Sequence, residues 1–154
     1  IILGNILDEF NPNGLSHEQL YFLFASAFKV DLTYELIDNT AYLPFAKKYI
    51  DGQLRWFRDN NWDSMLSGFA AIERLDNVDY VNFRDVAIHM GAEKKHLTFF
   101  NVHISADHFE NILSGELESL WEKNKNLVIN VFNFILEYQI DMLNKLSNAV
   151  LNHK

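Results

Sequence analysis

Six side chains able to ligate a metal ion stand on helical stripes that are otherwise apolar: Glu9, His17, Glu73, His103, Asp107 and Glu110. They are densest in FFNVHISADHFENIL, residues 99 to 113, which carries apolar residues at helical spacing. Successive helical residues turn by about 100°, so positions i, i+4 and i+7 share a face. His103, Asp107 and Glu110 therefore line one stripe, while His108 points about 140° away from His103 by the same rotation. Glu9 shares its stripe with Ile2 and Ile6. His17 precedes Leu20, Tyr21 and Phe24 at i+3, i+4 and i+7, and Glu73 follows Leu66, Phe69 and Ala70 at i−7, i−4 and i−3. A carboxylate on an apolar stripe is costly unless it is paired or bound to a cation. Imidazoles and carboxylates without thiolate suit iron or manganese inside a helical bundle.

Each of these residues has a second reading. A single His or Glu on a mixed face is more often a hydrogen-bonded core group or a solvated edge, and for Glu9 or His17 alone that reading is preferred. Three such residues at i, i+4 and i+7 are less common, so the stripe from His103 to Glu110 weighs more toward metal. Periodicity alone leaves both readings standing.

The elements that must position these side chains are helices. A first helix over about residues 2 to 10 breaks at NPNG, residues 11 to 14, a turn signal. Ser16 caps the next helix with Gln19 at the capping-box position, and its apolar run continues to about Val30. A third runs from about Asp38 to Asp59, distorted near Pro44. DNNWDS separates it from SMLSGFAAIERL, a fourth, and VDYVNFRDVAIHMG is a fifth, ended by Gly91. The sixth carries residues 99 to 113 and loosens at SGE, 114 to 116. The last runs from about Leu120 to Leu151. No strand-like alternation is sustained, so the fold expected is all-α, about seven helices in one domain over residues 1 to 154.

Composition narrows the function classes. The chain has 154 residues, 49% hydrophobic and 14% aromatic, enough for a sizeable core, and only two Pro and six Gly, which favours long helices. Its formal net charge of −8 argues against nucleic acid or an anionic membrane as the main partner. The absence of cysteine excludes disulfides, thiolate metal sites and a cysteine nucleophile. No apolar run reaches the roughly 18 residues of a membrane span and no signal-peptide pattern is present, so the expected location is cytoplasmic. The chain opens on Ile1, and IILGNILDEF reads as the middle of an amphipathic helix, so the natural chain is expected to begin upstream.

Order and spacing together resemble a family. Glu9 and His17 flank a Gly- and Pro-containing turn, Ala-Ile-Glu ends in Glu73, and Phe-Phe-x-x-His-x-x-x-Asp supplies His103 and Asp107. This resembles the heme-oxygenase-like diiron oxidases and oxygenases, in which Glu, His, Glu and His-x3-Asp-x2-His hold two irons. Glu9, His17, Glu73, His103 and Asp107 fall on the first five positions, and Glu110 stands where the family has its third His. The resemblance implies a heme-oxygenase-like helical bundle, incomplete here at its N-terminal side. It also implies a non-heme diiron enzyme that activates O2 and acts on a small amine, amino acid or fatty-acid-like substrate. Two His and four carboxylates make a harder, more anionic site than the family norm, which opens it to manganese or to a degenerate, non-catalytic state. The last helix, LVINVFNFILEYQIDMLNKL, is apolar around most of its circumference, as a homodimer contact or a central buried helix would be.

Other histidines are weaker candidates. Glu93 and His96 match the Glu-x-x-His of ferritin-like bundles, but that fold needs two copies, and the neighbouring Lys94 and Lys95 point to an exposed helix start. His96 is read as surface or as the lining of an entrance. His89 suits a helix C-terminus. No phosphate loop, nucleotide fingerprint or Ser-His-Asp order is present.

Overall fold

Helix starts follow their capping residues. The computed structural model describes residues 7, 9–11, 14–37, 41–105 and 113–152. Of the expected first helix, Leu7, Glu9 and Phe10 are described and have helical backbone. Ser16 then caps α1, His17–Ser26, through the expected capping box: its Oγ accepts from the Gln19 N–H at 3.2 Å, and Gln19 Oε1 accepts from the Ser16 N–H at 2.9 Å. The helix stops at Ser26 and not near Val30. Residues 27–29 leave as a turn in which Lys29 adopts a left-handed φ of 58°, which cannot propagate an α-helix.

A short α2, Thr33–Ile37, was not expected from the pattern; the Asp31 carboxylate starts it by accepting from the Thr33 N–H at 2.9 Å. Pro44 does not distort the middle of a helix but opens α3, Pro44–Asp59, at the position where its missing N–H is harmless. The expected fourth and fifth helices are one helix, α4, Trp62–His89, whose start is capped by Asn61 Oδ1 accepting from the Ser64 N–H at 3.0 Å. Asp76 and Asn77, a turn signal in isolation, are carried through it by the flanking Ile72 and Leu75, which pack on the core. Gly91, at φ 95°, lies just beyond its C-terminus. A single 3-10 turn, Lys94–Leu97, leads into α5, Thr98–Ser105. Finally α6, Ser114–Leu151, begins at SGE, earlier than expected, and is interrupted at Asn124, whose φ of −155° and ψ of 71° are not helical. Among the described residues there are six α-helices and no β-strand.

Two apolar clusters position these elements. The larger joins α4 to α6: Leu66 and Ala70 meet Leu113, Leu120 and Val128, and one turn further Ala71 meets Val131 and Ile135. Burying a large aliphatic side chain stabilises by about 1.5–3 kcal/mol each, so this seam dominates the fold. Small residues on α4 let its neighbours approach. A Cβ on Gly68 would come within 2.4 Å of Trp56 Cζ3 on α3, so only glycine admits that indole. The smaller cluster, Ala87, Leu97 and Phe100, packs with Phe24, Tyr80, Phe99 and Ile104. It docks α1 and α5 against the C-terminal half of α4. Among the described residues no helix is long and apolar enough to cross a membrane.

Candidate metal centre

That smaller aromatic cluster brings two histidines from distant parts of the chain face to face. His17, in the first turn of α1, and His103, in the last turn of α5, have ring centroids 4.4 Å apart. Tyr80 of α4 lies 4.4 Å and Phe99 4.5 Å from the His103 ring, so the imidazole is held on three sides by rings. Its Nδ1 is 2.7 Å from the Phe99 carbonyl oxygen. A carbonyl can only accept, so Nδ1 carries the proton and Nε2 is the basic nitrogen, the arrangement found in histidines that ligate metals.

His17 is 7% exposed. Its Nδ1 is enclosed and makes no hydrogen bond, although a Glu9 carboxylate oxygen stands 3.0 Å away outside hydrogen-bonding geometry. A buried imidazole nitrogen without a hydrogen bond is costly as a purely structural element. Glu9, His17 and His103 each offer a ligand atom, and the three atoms lie within 4.8 Å of one another. Donor set, convergence and the orphaned nitrogen all fit a cation of the iron, manganese or zinc type. Glu9 is half exposed and forms the solvent side of the group.

These residues border a cavity of about 340 Å³ whose opposite wall is α4. Glu73, Asp76, Asn77 and Tyr80 line it together, spaced i, i+3, i+4 and i+7 and hence on one helical stripe. Burial, followed by the carboxylates of Glu73, Asp79 and Glu9, pushes the Asp76 carboxyl up to about 7. Burial, followed by the carboxylates of Asp76, Glu9 and Glu73, raises the Tyr80 hydroxyl well above its usual range, so it stays a neutral donor. Tyr21, which closes the cavity on the α1 side, is raised chiefly by burial.

Of the six residues expected from the sequence, the structure therefore brings Glu9, His17, Glu73 and His103 to one cavity. Asp107 and Glu110, and with them His108, lie outside the described residues. Sequence reasoning missed Asp76 and Tyr80, because it ended a helix at Leu75; reading α4 as continuous places both on the Glu73 stripe. His96 is not the surface residue expected: it is partly buried with its Nδ1 enclosed, but it does not line this cavity. Glu93 is exposed and paired with Lys95 at 3.1 Å, and His89 sits exposed in the last turn of α4, both as expected.

Comparison with family models, curated proteins and solved structures finds no match to this chain.

Proposed function

We propose that this chain is a non-heme metal protein of the oxidoreductase class, with iron or manganese held by Glu9, His17 and His103 and with Glu73 beside them. The observation that supports it is the convergence of those three ligand atoms around a buried His17 nitrogen that makes no hydrogen bond. Iron bound there would supply redox chemistry and O2 activation, and the likeness in residue order to the heme-oxygenase-like diiron oxidases and oxygenases favours that use. The chain's own residues then have definite tasks. Phe99 fixes the His103 tautomer through its carbonyl. The rings of Phe99, Tyr80 and Tyr21 exclude water from one side of the cavity, and the Tyr80 hydroxyl can donate to a bound substrate. A small amine, amino acid or fatty-acid-like molecule is the substrate class this reading carries.

Metal titration of the purified chain tests it, using Fe(II) without oxygen and Mn(II) separately. Wild type should retain metal through desalting, and His17→Ala and His103→Ala should each weaken binding by at least roughly 10-fold, the scale of losing a ligand or its support. A wild-type chain that retains no metal from either solution refutes the proposal.

A second reading, a non-catalytic helical interaction protein, is favoured by one observation: Leu54, Leu136 and Ile140 are exposed apolar side chains. Retention of metal with no O2 consumption across amine, amino acid and fatty acid substrates would move the assignment there.

A further inference from the structure

A second cavity, of about 540 Å³, is lined by α3 and by Tyr138 of α6, and it shares no residue with the metal centre. Its charge is opposite to that of the molecule. The chain has 13 Lys and Arg against 21 Asp and Glu, yet Lys47, Lys48 and Arg55 line this cavity with a single carboxylate, Asp51. Lys48, Asp51, Gly52 and Arg55 are spaced i, i+3, i+4 and i+7, so one stripe of α3 faces the space.

The cations are not balanced from within. Asp51 is taken by Lys47 Nζ at 2.8 Å. Asp59, one turn beyond Arg55, is held by the Arg58 guanidinium at 2.7 and 3.2 Å, and Arg55 acts on it more weakly. Among the described residues Lys48 and Arg55 make no ion pair. Single surface cations are ordinarily solvated, but like charges gathered around a concavity focus a positive potential into it. Pro44 lines the same cavity at the first position of α3, and Leu43 before it offers no side-chain cap, so the positive end of the helix lies on this side.

The wall opposite the cations is aromatic and fixed. The Tyr138 hydroxyl donates to the Lys48 and Tyr49 carbonyls at 3.0 and 3.3 Å, and its ring stacks on Tyr49 with centroids 5.0 Å apart. It seats over Gly52, where a Cβ would overlap the hydroxyl oxygen. With its proton spent on two carbonyls, Tyr138 offers a ligand mainly its ring.

We infer that this cavity binds a small organic phosphate ester, with the phosphate between Lys48 and Arg55 and the organic part on the Tyr138 ring. Two unpaired cations match the near-dianionic phosphate of a monoester at neutral pH, whereas a carboxylate brings one charge. The volume is that of a small-molecule pocket and leaves room for a body beyond the phosphate. The inference stands independently of the metal-protein reading.

Calorimetric titration of the full chain at pH 7.5 tests it, after metal is stripped and the chelator removed, so that phosphate cannot bind through an ion in the other cavity. The probes are phenyl phosphate, inorganic phosphate and benzoate. Phenyl phosphate should bind one per chain, with inorganic phosphate roughly 5-fold weaker, the scale of one aromatic contact, and benzoate weaker still. Lys48→Gln and Arg55→Gln should each weaken phenyl phosphate roughly 10-fold, the scale of one charge-assisted hydrogen bond. Both side chains are exposed, so neither change should cost the fold, and Lys94→Gln, an exposed lysine elsewhere, should change nothing. Tyr138→Leu should erase the preference for phenyl phosphate over inorganic phosphate. Absence of binding by both phosphates overturns the inference, as does binding that survives both cation substitutions or falls equally in Lys94→Gln. Benzoate bound as tightly as phenyl phosphate overturns the phosphate assignment, and equal affinity for the two phosphates in wild type overturns the organic part.

Discussion

At the scale of single residues, Asp76 makes the sharpest prediction. In the metal-free chain its carboxyl, raised to about 7, holds a proton that the unfolded chain releases near pH 4. Between those values the folded state binds more protons, so this group's contribution is fully present below pH ~4 and is lost as pH rises toward about 7. Discounted for partial solvent access, the loss is on the order of 2 kcal/mol. Urea denaturation in chelator should therefore show Asp76→Asn gaining on wild type from pH 4 to pH 7.5; a constant difference would refute the titration. The histidines were legible in sequence because an imidazole on an apolar stripe stands out against Leu and Phe. Asp76 was not legible, since Asp-Asn beside a charged residue is also what a turn looks like.

At the scale of elements, the continuity of α4 decides what the site contains. A break after Leu75 would have sent Asp76 and Tyr80 to unrelated directions; one helix aligns them with Glu73. Local sequence underdetermines this, because the force that carries the helix through Asp76 comes from α6, whose Val131 and Ile135 pack against Ala71 with Ile72 and Leu75. The cap at Ser16 was legible because its capping-box partner Gln19 is three residues away, whereas at Asn61 the pattern gave only a break at DNNWDS and not the cap itself. Two substitutions probe the element. Asn61→Ala should cost roughly 1 kcal/mol through the lost cap. Gly68→Ala should cost about 1–3 kcal/mol, because the new methyl meets the Trp56 ring, rigid and packed, with no room to shift cheaply. Both are read from Tm or urea midpoints, and a Gly68→Ala chain as stable as wild type would mean that α3 is free to move away.

At the scale of the whole molecule, the all-helical class followed from periodicity and the scarcity of Pro and Gly, and the structure has it among the described residues. The character of the last helix did not follow. It is neither central nor simply amphipathic: Val128, Val131 and Ile135 are buried against α4 while Phe134, Leu136 and Ile140 are exposed. Sequence hydropathy counts both faces alike, and only the packing tells them apart. Replacing Leu136 and Ile140 by Gln should leave the unfolding free energy within about 0.5 kcal/mol, as for other surface positions. A larger loss in urea would show that the outer face is covered in solution.

Asn124 gives α6 a property that its 38-residue span conceals. Its side-chain oxygen accepts from the Leu127 N–H at 3.2 Å, the bond by which an N-cap residue starts a helix, so the rod consists of two helices in series. Amides in a helix's first turn lack intrahelical acceptors. The exposed Lys125 and Asn126 should therefore exchange their amide hydrogens for deuterium quickly, in the midst of slowly exchanging neighbours. The segments on either side should also open as separate cooperative units. Uniformly slow exchange across residues 120–130 would show a single rod.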